Sequence, residues 1–157
     1  MIEAVRLSHL ITKFLQLETI AEALYLQHLH AVPSHLRPLF QEFAATETRH
    51  RLLFEELYRE IHQKAAPRFR FSVWILCQWA EVLHLFGNTA VLRFECWIEA
   101  HAIRDYTRAL EWIKEPEVRT TLTQILRDEK NHLGLEELLH LFREDEEAHI
   151  THMRRFL

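Results

Sequence analysis

Glycine is nearly missing from this chain: there are two among 157 residues, with four prolines and two cysteines. So little turn chemistry offers few places for a sheet to reverse, and it suits long helices built from Leu, Glu, Arg, Ala and His. The two cysteines, Cys77 and Cys96, lie on apolar segments and are read as reduced thiols of a cytoplasmic protein. No Cys-x-x-Cys occurs, which excludes a built-in rubredoxin or zinc-ribbon electron carrier. A basic excess is also lacking, and a net charge of −4 argues against nucleic acid as partner. The opening stretch MIEAVRLSHLITKFLQLE has an early acid and no small-residue cleavage site, so it is not read as a secretory signal. Long hydrophobic runs are absent too. The most apolar, Phe71 to Phe86, has 16 residues broken by Gln78, Glu81 and His84, too short and polar for a conventional membrane span. The length suits a single domain over residues 1–157.

What is present is helical periodicity. Prolines and one Gly-Asn pair divide the chain into a first helix from Ile2 to Ala31, before Pro33, and a second from Ser34 or Arg37 to Lys64. Residues Ala65 to Arg70 form a connector, and an apolar helix follows to Phe86. Gly87 is expected to end that helix and Asn88 to cap the next, which runs from Thr89 to Lys114. Pro116 opens a last helix reaching Met153. Steps of three and four link Leu7, Ile11, Phe14, Glu18, Ala21 and Tyr25 in the first of these; Phe40, Phe43, Glu47, His50, Phe54 and Leu57 follow the same rule in the second. Each set occupies one helical face, normally the buried one. Glutamates and a histidine therefore interrupt apolar stripes. A buried unpaired carboxylate is costly, so interruptions of this kind need a compensating charge.

The interruptions repeat. Glu18 and Tyr25 recur as Glu99 and Tyr106, shifted by 81 residues, and Glu47 and His50 recur as Glu129 and His132, shifted by 82. Five Glu-x-x-His pairs occur in all, so the motif alone is weak evidence; these two stand apart because they lie on apolar stripes and share an upstream Glu-x6-Tyr. Four carboxylates and two imidazoles in this order are the ligand set of a di-iron or di-manganese centre inside a four-helix bundle. Carboxylates can bridge two hard divalent ions, and one imidazole for each adds a nitrogen donor. Glu18, Glu47, His50, Glu99, Glu129 and His132 are thus the candidate ligands. Tyr25 and Tyr106 are candidates for orienting ligands or relaying electrons, Glu22 and Glu95 are further acids one turn from Glu18 and Glu99, and Asp128 is placed to hydrogen-bond a ligating histidine on a neighbouring helix.

The chain resembles the ferritin-like di-iron carboxylate proteins from Leu7 to Leu141, and among them most the demethoxyubiquinone hydroxylases. The stretches that carry the resemblance are LETIAEALYLQHL, LFQEFAATETRHRLLFEEL, CWIEAHAIRDYTRAL and ILRDEKNHLGLEE, with the 49 residues from His50 to Glu99 enclosing an apolar segment. It departs from that family at its first ligand, where Leu15-Gln16-Leu17-Glu18 replaces the usual His-Ala-Gly-Glu, and in its ending REDEEAHITHMRRF. The resemblance implies an all-α fold, a ferritin-like four-helix bundle with one long crossover that contains the extra apolar helix. It also implies two iron ions, with manganese the alternative, held by the six ligands named above, with Tyr106 near them. The implied activity is an O2-dependent di-iron oxidase or monooxygenase that hydroxylates a lipophilic, quinone-like substrate with electrons from an external donor. Phe71 to Phe86 would then be the segment that meets the inner face of a membrane; packing on the bundle or on a second subunit, as a homodimer, is the other reading. Three rivals remain: a rubrerythrin-like protein that reduces H2O2, an iron-binding or ferroxidase protein with no organic substrate, and a helical scaffold without metal that uses its long C-terminal helix for a partner.

Overall fold

A computed structural model describes residues 2–30, 32, 34 and 37–132, the side chains of residues 2–4, 84, 88, 89, 92 and 132 excepted. Among the described residues there are five helices: α1 (Ile2–His28), α2 (Arg37–His62), α3 (Arg70–His84), α4 (Asn88–Trp112) and α5 (Pro116–His132). The fold is all-α, as the scarcity of glycine predicts. The expected continuation of the last helix to Met153 falls outside the described residues.

Helix ends follow local chemistry. The first helix stops at His28, three residues before the expected end, in a turn closed by Leu29 N–H donating to the Tyr25 carbonyl. Gln63 ends α2 by adopting φ 53°, the left-handed conformation usually left to glycine. Gly87, at φ 90°, is the residue flanking α4, and Asn88 is already helical, which corrects the expected Asn88 cap. Only glycine reaches that backbone angle without a steric penalty, so the chain turns one residue earlier.

Cross-helix contacts fix the directions. Ser8 meets His62 and Glu22 meets Arg51, so α1 and α2 run antiparallel. Glu18 meets Tyr106 and Tyr25 meets Glu99, so α1 and α4 are antiparallel too, and α2 therefore runs parallel to α4. That arrangement needs a crossover. The α3 helix supplies it, running in the direction of α1 with Ser72 at Gln16 and Glu81 at Gln27. Its 15 residues reach about 22 Å by rise per residue, enough to carry the chain back along the bundle.

Two apolar clusters lie on either side of a polar layer. One gathers Ile11, Phe14, Phe54, Tyr106, Leu122 and Ile125; the other gathers Tyr25, Val32, Phe40, Phe43 and Ala44. The outer helix α3 joins through Val73, Leu76, Cys77 and Ala80, which pack near Ile20 and Leu24 of α1 and Phe94 and Ile98 of α4. Its opposite face presents Phe71, Trp74, Trp79 and Val82 to the exterior, with Trp79 61% exposed. The larger apolar side chains of α3 thus point away from the bundle. No helix among the described residues is long and apolar enough to cross a membrane. Cys77 and Cys96 form no disulfide.

Candidate metal centre

The polar layer is built by four helices, each contributing residues from its inward stripe. Glu18 comes from α1, Glu47 and His50 from α2, Glu99 from α4 and Glu129 from α5, and all five are buried. The side chain of His132, the remaining expected ligand, lies outside the described residues. Glu18, Glu47, His50 and Glu129 each offer a ligand atom, and these atoms lie within 4.8 Å of one another. His50 Nδ1 is the hub, 3.2 Å from Glu129 Oε1, 3.4 Å from Glu18 Oε2 and 3.8 Å from Glu47 Oε2. Glu99 sits beside this group, where it feels the charge of Glu129 and Glu47.

The tyrosines link the two halves of the sequence. Tyr25 Oη donates to Glu99 Oε1, and Tyr106 Oη donates to Glu18 Oε1. Each half thus supplies the hydroxyl that bonds the other half's glutamate. The α1–α4 crossing is what brings them together: residue numbers fall along α4 as they rise along α1. Tyr106 is wedged between Phe14, edge-on at 4.5 Å, and Phe54, stacked at 6.1 Å. Tyr25 packs against Phe40 and Phe43. On the far side of His50, Nε2 lies 3.2 Å from Asp128 Oδ2, so a carboxylate fixes the ring and leaves Nδ1 facing the glutamates.

Electrostatics follow from burial without solvent. Burial, reinforced by the charge of Glu47, lifts Glu18 well above the usual carboxylate range. Burial and then Glu129 do the same to Glu99. Burial and then Glu47 push Glu129 up to about 7. Burial pulls His50 down, but the surrounding Glu129, Glu18 and Glu47 outweigh it, so its affinity for a proton is raised. Burial and the charges of Glu99, Glu95 and Glu47 raise Tyr25, which keeps its hydroxyl protonated and able to donate.

This donor set fits a hard divalent cation. Carboxylate oxygens and an imidazole nitrogen are ligands that iron and manganese accept, and a cation would offset the like charges that now hold protons in the interior. Glu18 Oε2 and His50 Nδ1 are buried and, among the described residues, make no well-aligned hydrogen bond, which suits atoms that would bind a cation.

The other acids sort themselves by position. Glu22, one turn from Glu18, turns outward to Thr48 at 2.7 Å and to Arg51, which also holds Glu55 at 2.6 Å. It belongs to a half-buried network beside the centre. Glu95 is buried, one turn from Glu99, and bonds His28 Nδ1. His28 carried no signal of its own in the sequence beyond lying one turn after Tyr25, and its pairing appears only when α1 and α4 are laid together.

The rubrerythrin family model matches residues 11–141, which include all six candidate ligands and both tyrosines. No curated protein and no solved structure matches the chain.

Proposed function

Because the chain belongs to the rubrerythrin family, within the ferritin-like di-iron superfamily, we propose that it is a di-iron oxidoreductase acting on H2O2 or O2 with electrons from an external donor. The observation that carries this reading is the buried cluster of Glu18, Glu47, His50 and Glu129, whose ligand atoms lie within 4.8 Å. Glu18, Glu47, Glu99 and Glu129 would hold the two ions with His50 and His132. When bound, the ions supply reversible one- and two-electron exchange with a small oxidant.

The remaining work is done by the chain. Apolar clusters above and below exclude water, so charges in the layer act at low dielectric. Tyr25 holds a proton at Glu99 and Tyr106 holds one at Glu18, which fixes both carboxylates and keeps a proton source beside each. Asp128 orients His50 with Nδ1 directed inward. Protons that the glutamates hold in the metal-free protein leave as the cations enter, so binding is expected to release protons.

One observation favours a second reading, hydroxylation of a lipophilic quinone-like substrate: the outward face of α3, with Phe71, Trp74 and Trp79 exposed, is an apolar surface such a molecule could meet. The two readings separate in one experiment. The iron-loaded, reduced protein is mixed with H2O2 and, separately, with O2 in the presence of a quinone analogue. Fast oxidation by H2O2 with no altered quinone supports peroxide reduction; a hydroxylated product overturns it in favour of the second reading. Loss of iron from Glu47→Ala supports the ligand assignment, and two retained ions in that variant would remove Glu47 from it.

A further inference from the structure

The 81-residue offset that relates Glu18 to Glu99 and Tyr25 to Tyr106 also pairs the residues one turn beyond each tyrosine, and there the halves differ. Beyond Tyr25, α1 and α4 are joined by His28 and Glu95, 0% and 3% exposed. The offset carries these two positions to Ala109 and Phe14, 1% and 0% exposed. The same place in the bundle is thus apolar at one end and ionisable at the other. Packing alone does not require the ionisable version, since the phenylalanine and alanine fill the equivalent space. A buried imidazole–carboxylate pair loses hydration that an apolar pair of similar volume never had. A costly feature without a packing need points to a task.

Geometry suggests the task. His28 is three residues after Tyr25 and Glu95 four before Glu99, so their bond forms a second rung beside the Tyr25–Glu99 rung and on the same helix pair. A second departure lies across the layer. Asp128 bonds His50, whereas the 82-residue offset puts Thr46 in its place for the other half, with Arg49 donating to that threonine at 2.9 Å.

Resting on the di-metal reading above, we propose that His28 and Glu95 are a positioning pair that holds Tyr25 on Glu99. The two metal positions are then unequal: the Glu99 position depends on this rung, and the Glu18–His50 position depends on Asp128.

The test copies one half onto the other. His28→Ala combined with Glu95→Phe installs the residues that the opposite end already carries, at nearly constant volume, a change that cores tolerate well. The full-length metal-free protein is titrated anaerobically with Co2+, followed by its visible absorption, and its melting temperature is recorded. The wild type is expected to bind two ions in two resolved steps. The double variant weakens one step about ten-fold and spares the other, while Asp128→Asn weakens the spared one by a similar factor. Tyr25→Phe weakens the same step as the double variant, and adding the double variant to it brings little further loss, because both act through one hydroxyl. Glu95→Gln, which keeps the shape and a hydrogen bond, restores the step; Glu95→Leu alone does not, and it serves if the double variant melts too low to titrate.

Equal weakening of both steps, no weakening of either, or full additivity with Tyr25→Phe overturns the pairing. A wild type that takes up two ions alongside an indifferent variant sinks this inference alone. A wild type that takes up none sinks the metal-centre reading and this inference with it.

Discussion

Removing metal should leave a protein whose stability falls as pH rises through neutrality, opposite to the usual behaviour of carboxylates held by salt bridges. Glu129 shows the size of the effect. In the unfolded chain its carboxyl releases its proton near 4.5, while in the folded protein burial and the charge of Glu47 hold that proton to about 7. At about 1.4 kcal/mol for each tenfold change in proton affinity, the difference is about 3 kcal/mol. Below the lower value both states are protonated and the fold has its full stability. As pH climbs, the unfolded chain gives up its proton first, and stability is lost until the folded protein also lets go, after which it levels off. About 2 kcal/mol of the loss falls between pH 5.5 and 7.5, where ordinary surface carboxylates no longer titrate. Glu18, Glu99 and His50, all raised, act in the same direction. For a chain of this size Glu129 alone should lower the melting temperature by about 4–8 °C over that window. The assay is thermal denaturation of chelator-treated protein at half-unit pH steps, with and without Glu129→Gln, which removes the titrating group. A shallower slope in the variant is expected. A melting temperature that is flat or rises between pH 5.5 and 7.5 in metal-free wild type would refute the argument that these carboxylates are held protonated by burial and by one another.

Other perturbations test separate links. Phe14→Ala opens a cavity in the cluster beneath Tyr106 and should cost about 3–5 kcal/mol in denaturant titration; a loss under 1 kcal/mol would mean that the ring does not pack as described. Trp74→Ser and Trp79→Ser should each change stability by less than about 0.5 kcal/mol, whereas Ala80→Leu, on the opposite and fully buried side of α3, should cost about 1–3 kcal/mol. The reverse ranking would show that α3 docks by its other face. Gln63→Gly should stabilise by about 0.5–1 kcal/mol in the same titration, since φ 53° burdens any residue with a Cβ; destabilisation would point to a role for the glutamine side chain.

Much of the centre could be read from the sequence because two periodicities coincide there. The three-and-four step put Glu18, Glu47, His50, Glu99 and Glu129 on buried faces, and the repeat paired them across the halves; all five are buried in one layer. Asp128 was placed beside a ligating histidine on a neighbouring helix, and it lies 3.2 Å from His50. The long crossover came from the family resemblance, which the 49 residues from His50 to Glu99 and their apolar segment help to carry. What failed to show was anything set by the rotation of one helix against another. Glu22 and Glu95 look alike in sequence, each one turn from a candidate ligand, yet Glu22 faces Arg51 in a half-buried network and Glu95 faces His28 in the interior. Helix α3 is apolar on both sides, so its pattern could not say which side would turn inward. The Asn88 cap was displaced by its neighbour because a backbone angle open to glycine decided the turn.

The crossed tyrosine bonds have a consequence for how such a chain can change. Tyr25 serves Glu99 and Tyr106 serves Glu18, so neither half of the sequence contains its own glutamate together with that glutamate's hydroxyl partner. A mutation at either tyrosine is felt first in the opposite half, 74 positions away for Tyr25 and 88 for Tyr106, but one hydrogen bond away in space. Drift in one repeat is therefore judged by the other. A half-length fragment, however well its helices form, could complete the exchange only by borrowing the missing hydroxyl from a second strand of the same kind.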